Sequence, residues 1–190
     1  MDVAAVILAG GESRRMGRDK AWITLDGVPL LPLAVAKVRA LGVEEIMISG
    51  RAGEDYSALR CPVLFDLAPG FGQLGGIERA LHQCASPLLL VLAVDMPRMS
   101  VGYLQNLVSH CDPRTGVVPR LHHQLEPLAA IYPKRCHALA AAAIRHSCWA
   151  ARDFAKAAQR ERAVRTLPVA PAEEQNFLNW NGPADVAAAG

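Results

Sequence analysis

The sequence predicts an α/β protein with a mostly parallel sheet that is covered by helices on both faces. Two runs of seven apolar residues, Val3–Ala9 and Leu88–Val94, have the composition of strands buried on both sides. Segments with helical spacing of apolar residues alternate with these and with shorter strand-like runs. Such a strand–helix–strand order is typical of crossover connections, which align the carboxyl ends of the strands along one edge. Ligands of open α/β sheets bind at that edge.

The other elements follow from apolar spacing and from glycine and proline positions. In chain order we expect a helix over 31–41 that stops at Gly42, strands over 45–49 and 62–65, a helix over 75–85, a helix beginning near Ser100, and two packed helices within 138–158. The chain of 190 residues is long enough for one domain with a sizeable core, and it contains no repeat or linker.

Composition argues against several classes of protein. A net charge of +2 is too small for a nucleic-acid or membrane-surface binder. No apolar run approaches the roughly 20 residues that cross a bilayer, and a strand begins almost at the N-terminus without a charged leader. The five cysteines are widely spaced and form no CxxC pair. We therefore expect a cytoplasmic protein with free thiols and with neither nucleic-acid nor membrane partners.

The segment after the first strand combines glycine with positive charge. Gly10 and Gly11 let the backbone approach a ligand closely, and successive amides in such a turn can bind an anion. The cationic side chains that follow are Arg14, Arg15, Arg18 and Lys20. The glycine spacing fits neither the dinucleotide pattern GxGxxG nor the Walker pattern GxxxxGK[ST]. The segment therefore predicts a phosphate-binding loop of another kind; the alternative is a solvated basic turn.

Carboxylates follow two of the other strands. Asp95 comes directly after the run Leu88–Val94, where a buried charge needs a partner. Opposite a phosphate loop it could hold Mg²⁺, which takes oxygen ligands and bridges to phosphates; the alternative is a helix cap, for which Pro97 and Ser100 are better suited. Asp66 follows the third strand and could either orient the glycine-rich loop after it or contact a nucleoside.

The stretch from Leu8 to Lys20 resembles the signature LAGGxSxRMGxxK of the molybdenum cofactor guanylyltransferases, and every fixed position is filled. Residues 72–76 resemble the second glycine motif of that family, GPLAG, with its outer glycines Gly72 and Gly76 kept but Gln73 and Gly75 in place of proline and alanine. The alternative for this segment is a plain helix start at Gly75 and Gly76.

The second half resembles the same family more loosely. Asp95-Met-Pro97 matches a DxP element, and Glu126-Pro-Leu128 with Tyr132 matches EPLxAxY. The closing element NxNxPxD/E is matched by Asn179, Asn181, Pro183 and Asp185. Asn179 and Asn181 would lie on one face of an extended segment, where two amides could meet a polar ligand, or they could serve turn chemistry. His122 and His123 are expected in an exposed loop, from which His122 could still touch a second substrate.

The resemblance implies a Rossmann-like, three-layer nucleotidyltransferase fold with a nucleotide-binding part at about 1–100 and an acceptor-binding part at about 101–190. It implies transfer of GMP from GTP to the phosphate of molybdopterin, with Mg²⁺ as cofactor and with transient contacts to proteins that deliver the cofactor or accept the product. The implied catalytic residues are Arg15, Lys20 and Asp95, with Asp95 on the metal. The implied binding residues are Leu8, Ala9, Gly10, Gly11, Lys20, Asp66, Gly72, Gly76, Asp95, Asn179 and Asn181.

Two other functions fit the same residues. A related enzyme could use CTP or build a nucleotide sugar or isoprenoid precursor, but cytidylyltransferases tend to read LAAG where this chain has Gly10, which favours guanine. A non-catalytic nucleotide-binding module is the other alternative. It would have little use for Lys20 together with a metal-binding Asp95.

Overall fold

The computed structural model describes residues 2–10, 20–65 and 71–180 as an α/β protein built on one eight-stranded sheet. The strands are β1 (Val3–Leu8), β2 (Thr24–Leu25), β3 (Val28–Pro29), β4 (Ile46–Gly50), β5 (Val63–Phe65), β6 (Leu88–Ala93), β7 (Gly116–Leu121), β8 (Gln124–Leu125), β9 (Ala129–Pro133) and β10 (Val164–Pro168). The helices are α1 (Leu30–Ala40), α2 (Gly72–Gln83), α3 (Val101–Ser109), α4 (His137–Arg145) and α5 (Ala151–Arg160). Short 3₁₀ helices span Lys20–Trp22, Ser57–Leu59, Lys134–Cys136 and Pro171–Phe177.

The sheet has the order β10–β7–β9–β6–β1–β4–β5, with β8 paired to β7, while β2 and β3 form a separate hairpin. Strand β1 lies in the middle and pairs in parallel with both β4 and β6. The antiparallel partners are β9, which runs against β6 and β7, and β8, which runs against β7. The prediction of a mostly parallel sheet is therefore confirmed. The chain moves from β1 outward to β4 and β5 and then returns to β6 on the other side of β1, so that the strand order reverses between β1 and β6. Ligands bind at such a reversal in open sheets.

Helices cover both faces of the sheet, as predicted. On one face α1 and α3 pack over alternate strand residues such as Ala5, Ile7 and Leu90. On the other, α2, α4 and α5 pack over Val6 and Leu89. Strands β1 and β6 are buried along their whole length, since side chains of opposite parity enter the two cores.

Helix α2 begins at Gly72, three residues before the predicted start at Gly75. The glycine motif is therefore the first turn and a half of a helix, although glycine disfavours helix interiors. Packing explains why position 76 is glycine. A Cβ on Gly76 would collide with Oγ of Ser49 in β4 and would lie 3.0 Å from Cδ2 of Leu8. Glycine thus lets α2 approach the carboxyl ends of β1 and β4 closely.

The described segments bear on two of the predictions from composition. None of the helices in these segments has the length and apolar character needed to span a membrane. All five cysteines are free thiols, as expected. Burial raises the pKa of Cys111 and of Cys136 to about 12, which keeps both thiols protonated and unreactive.

Candidate active site

Lys20 and Asp95 form an ion pair at the carboxyl edge of the sheet. Lys20 Nζ lies 3.1 Å from Asp95 Oδ2, and the two side chains are only 21% and 20% exposed. The residues are 75 positions apart in sequence. They meet because β1 and β6 are neighbours, and the strand order reverses between these two strands.

Local structure holds both members of the pair. Asp95 follows β6, and the N–H of Val94 donates to the carbonyl oxygen of Leu8 (3.1 Å), which extends the pairing of β6 with β1. Lys20 opens a 3₁₀ helix whose second residue, Ala21, is fully buried in the core. A buried anchor next to each charged residue fixes where its side chain starts.

Asp95 is not the cap of the helix that follows it. The N-cap of α3 is Ser100, whose Oγ accepts a hydrogen bond from the N–H of Tyr103 (3.1 Å). Ser100 is thus the cap that the sequence favoured, and the carboxylate of Asp95 pairs with Lys20.

The last described residues lie against the same edge. The N–H of Trp180 donates to the carbonyl oxygen of Asp95 (2.9 Å), and the Trp180 ring is buried in the core. The buried Asn176 anchors this segment to α3, because its Oδ1 accepts from the N–H of Ser100 (2.8 Å). Asn179 is therefore held exposed beside the Asp95 loop. The sequence prediction included Asn179 but overlooked Asn176, which the turn-forming preference of asparagine could have suggested.

At the end of β1, hydrogen bonds to neighbouring strands already occupy some of the backbone groups. The N–H of Ala9 donates to the carbonyl oxygen of Ser49 (2.8 Å), and the carbonyl oxygen of Leu8 accepts from Val94. Leu8 and Ala9 are buried and Gly10 is partly buried. A Cβ on Gly10 would lie 3.6 Å from the carbonyl oxygens of Ser49 and Gly50, which is ordinary contact. The fold therefore has room for alanine at position 10.

The second glycine motif contributes in two different ways. Gly72 is exposed and has a φ of +54°, in the left-handed region that favours glycine, and a Cβ there would meet nothing within 4 Å. Its glycine therefore sets the backbone at the start of α2. Gly76 is buried against β1 and β4, so packing accounts for it.

Several predicted site residues lie outside the described residues. These are Gly11 and Arg15 in the loop after β1, Asp66 after β5, and Asn181 near the C-terminus.

The protein groups at this edge suit a magnesium ion that arrives with phosphate. Within residues 2–10, 20–65 and 71–180, no cluster of three or more His, Cys, Asp or Glu side chains could hold a metal. Among those residues, Asp95 places a carboxylate oxygen 3.1 Å from Nζ of Lys20. Mg²⁺ is commonly held by one or two carboxylates, substrate phosphates and water, and this donor set fits that pattern.

Glu126 is at the same edge, although the sequence analysis assigned no role to it. It is the first residue of the connection between β8 and β9, and its N–H donates to the carbonyl oxygen of Pro119 (2.9 Å). Two residues later, the carbonyl oxygen of Leu128 accepts from the N–H of Ala93, at the end of β6 (2.8 Å). Burial raises the pKa of Glu126, while the charge of Arg152 acts in the opposite direction. A short EPL motif has little specificity, so the sequence alone does not single out Glu126. The burial of its carboxylate in the folded chain does.

Two other features lie away from this edge. A cavity of about 450 Å³ is at the opposite edge, lined by Asp2, Glu45 and Ser86 among others. There the Glu45 carboxylate accepts hydrogen bonds from the N–H groups of Ala85 and Ser86, which is a structural role. His122 and His123 are exposed between β7 and β8, as predicted.

Comparison with known proteins places the chain in a family. Residues 5–164 match the model of the MobA-like NTP transferase domain. A probable molybdenum cofactor guanylyltransferase of Opitutus terrae is 37% identical over 186 residues, covering 96% of this chain and 92% of the relative. A protein of the same description from Pelotomaculum thermopropionicum is 32% identical and covers 100% of this chain and 92% of its own. The crystal structure of molybdopterin-guanine dinucleotide biosynthesis protein A from Archaeoglobus fulgidus has the same fold, with a TM-score of 0.76 at 24% identity over 98% of this chain and 96% of that one. From its sequence and its fold together, this chain belongs to the MobA-like NTP transferase family.

Proposed function

We propose that this protein transfers GMP from GTP to the terminal phosphate of molybdopterin, releasing pyrophosphate. The carrying observation is the Lys20–Asp95 pair, 3.1 Å apart at the strand-order reversal, which sets an ammonium group suited to phosphate beside a carboxylate suited to Mg²⁺. The two relatives described as guanylyltransferases extend over nearly the whole chain, which supports the choice of reaction.

The reaction needs no covalent intermediate on the protein. A phosphate oxygen of molybdopterin attacks the α-phosphorus of GTP, and the bond from that phosphorus to the oxygen bridging to the β-phosphorus breaks. The bonding electrons leave with pyrophosphate. Such a transfer depends mainly on positioning and on neutralising charge.

Lys20 would leave Asp95 for the phosphates as GTP enters, and its ammonium group would offset charge on the departing pyrophosphate. Asp95 would hold Mg²⁺, which withdraws charge from the phosphate oxygens when bound. Arg15 would add positive charge near the triphosphate, and the backbone of Gly10 and Gly11 would approach the nucleotide.

Further binding roles follow from the family motifs. Asp66 and Gly72 would lie on the nucleoside side of the site. Asn179 and Asn181 would face the acceptor phosphate or its metal. The part at about 1–100 would then bind nucleotide and the part at about 101–190 would bind the acceptor.

The direct test is product formation with GTP labelled at the α-phosphate, molybdopterin and Mg²⁺. We expect labelled guanine dinucleotide and one pyrophosphate per product, with GTP bound at least about tenfold more tightly than CTP or ATP, or about 1.4 kcal/mol. CTP bound as tightly as GTP, with CMP transferred, would move the assignment to the cytidylyl branch. Binding of GTP without transfer to any phosphate acceptor would indicate a nucleotide-binding module.

A further inference from the structure

An aromatic pair joins the starts of α2 and α5 at the carboxyl edge of the sheet. Phe71 directly precedes α2, and Trp149 lies two residues before α5. Their rings meet edge to face, with centroids 6.1 Å apart and planes at 68°. Trp149 is 45% exposed, although tryptophan is usually well buried. Because Gly76 seats the first turns of α2 against Leu8 and Ser49, this pair lies at the same end of the sheet as Asp95.

A half-buried carboxylate and a guanidinium lie beside the start of α5. The Glu126 carboxyl accepts no hydrogen bond from the residues that the structure describes, and the charge of Arg152 in the first turn of α5 acts on it. Burying a carboxylate without hydrogen bonds opposes folding. A carboxylate whose burial opposes folding, and which lies at the carboxyl edge of the sheet, is a candidate for a functional residue.

The connection between β8 and β9, which carries Glu126, is held in a defined position. The Tyr132 hydroxyl donates to the carbonyl oxygen of Pro127 (3.1 Å), and the Tyr132 ring packs on Phe154 of α5 with centroids 4.9 Å apart. Departures from regular strand pairing next to active sites commonly re-aim a side chain. Here the departure brings Glu126 toward the helix that carries Arg152.

We propose that Trp149 and Glu126 form the subsite for the pterin ring of the acceptor, with Trp149 stacking on the ring and Glu126 accepting hydrogen bonds from its 2-amino and N3–H groups. Arg152 would meet an anionic group of the same molecule. This inference rests on the proposed function, since it assumes a pterin acceptor. Guanine has the same pair of adjacent donors, but Glu126 belongs to the β8–β9 connection, and β9 pairs with β6 on the side away from β1. That position favours the acceptor.

The test separates the two substrates kinetically. In the guanylyl transfer assay, Trp149→Ala and Glu126→Gln should each raise KM for molybdopterin at least about tenfold, the scale of one lost stacking contact for the first and of lost hydrogen bonds to a charged group for the second. KM for GTP should change less than about twofold, and Trp149→Phe should restore most of the acceptor affinity because it keeps an aromatic face. Arg160→Ala, at the far end of α5, is the matched surface control and should leave both KM values unchanged.

A binding measurement keeps the proposal testable without turnover. The fluorescence of 6-hydroxymethylpterin should be quenched saturably by the wild-type protein, less by Glu126→Gln, and not by Trp149→Ala. A raised KM for GTP with an unchanged KM for molybdopterin would assign these residues to guanine and overturn the proposal. Unchanged KM values, or equal quenching by wild type and Trp149→Ala, would also overturn it. Pterin quenching that depends on Trp149, in a protein that transfers no GMP, would support the subsite while contradicting the proposed reaction.

Discussion

Replacement of Gly76 by alanine tests whether that glycine serves packing or nucleotide binding. The added Cβ would collide with Ser49 Oγ and would lie 3.0 Å from both Ser49 Cβ and Leu8 Cδ2. Forcing one carbon into a packed core typically costs about 1–3 kcal/mol. Helix propensity acts in the opposite direction by about 1 kcal/mol, because alanine is the better helix former.

Gly102→Ala isolates the propensity effect. Gly102 is exposed in α3, and a Cβ there would meet nothing within 4 Å, so this variant should gain about 0.5–1 kcal/mol. The free energy of unfolding of Gly76→Ala should then lie about 1–3 kcal/mol below that of Gly102→Ala. Thermal unfolding followed by circular dichroism measures this, at about 2–4 °C per kcal/mol for a chain of this length.

Ser49→Ala provides the second half of a double-mutant cycle. It removes the Oγ that the new methyl group meets, so Gly76→Ala should cost at least about 0.5 kcal/mol less in that background. GTP affinity lost in Gly76→Ala should recover in the same double variant. Equal stability of the Gly76→Ala and Gly102→Ala proteins, with no coupling to Ser49, would refute the packing argument. Lost GTP affinity that Ser49→Ala does not restore would instead assign Gly76 to the nucleotide.

Four further variants test the site. Lys20→Ala should lower turnover by roughly two orders of magnitude or more; Lys156→Ala removes an exposed lysine from an ion pair of the same 3.1 Å length and should leave the rate unchanged, so equal rates in the two variants would contradict the role of Lys20. Asp95→Asn should lower Mg²⁺-dependent turnover by about a hundredfold or more, while metal-free nucleotide binding should stay nearly unchanged or tighten; an unaltered metal requirement with normal turnover would place the metal elsewhere. Gly10→Ala should change the free energy of unfolding by less than about 0.5 kcal/mol but reduce the preference for GTP over CTP; a retained preference in competition binding would dissociate this glycine from base choice. Burial raises the folded-state pKa of Glu126, so its contribution to stability is present below the unfolded-state pKa of about 4.3 and is lost as the pH rises through the folded-state pKa. Glu126→Gln should therefore be more stable than wild type at neutral pH and lose that advantage in acid. Urea titrations across pH that show no such difference would contradict the burial argument.

The sequence was most informative where one physical rule dominates. Strands β1 and β6 were predictable because only burial on both faces explains seven consecutive apolar residues. The start of α2 was not, because glycine propensity argues against a helix at Gly72. Tertiary packing overrides this propensity, since α2 approaches Ser49 so closely at Gly76 that a Cβ would not fit there.

The site was predictable in its residue types but not in its contacts. A lysine after a glycine-rich loop and an aspartate after a buried strand both indicate phosphate chemistry. Their pairing across 75 positions depends on which strands are neighbours, and periodicity does not reveal strand order. No role was predicted for Glu126 for a related reason, since only the folded chain buries its carboxylate.

The Lys20–Asp95 pair also limits how single substitutions can be interpreted. With both side chains about four-fifths buried, removing either one takes an opposite charge away from its partner in a poorly solvated place. Lys20→Ala therefore leaves a carboxylate facing the triphosphate, and Asp95→Asn leaves an ammonium group that can bind phosphate more tightly. The first change should weaken GTP binding by more than the loss of one cation alone, and the second can mask a lost metal ligand in a binding assay. The double variant Lys20→Ala with Asp95→Asn removes both charges, so its GTP affinity should be closer to wild type than that of Lys20→Ala, while its turnover stays low. Affinity and turnover that recover together would mean that the pair serves only to hold the two strand ends, and that the phosphate chemistry belongs to other residues.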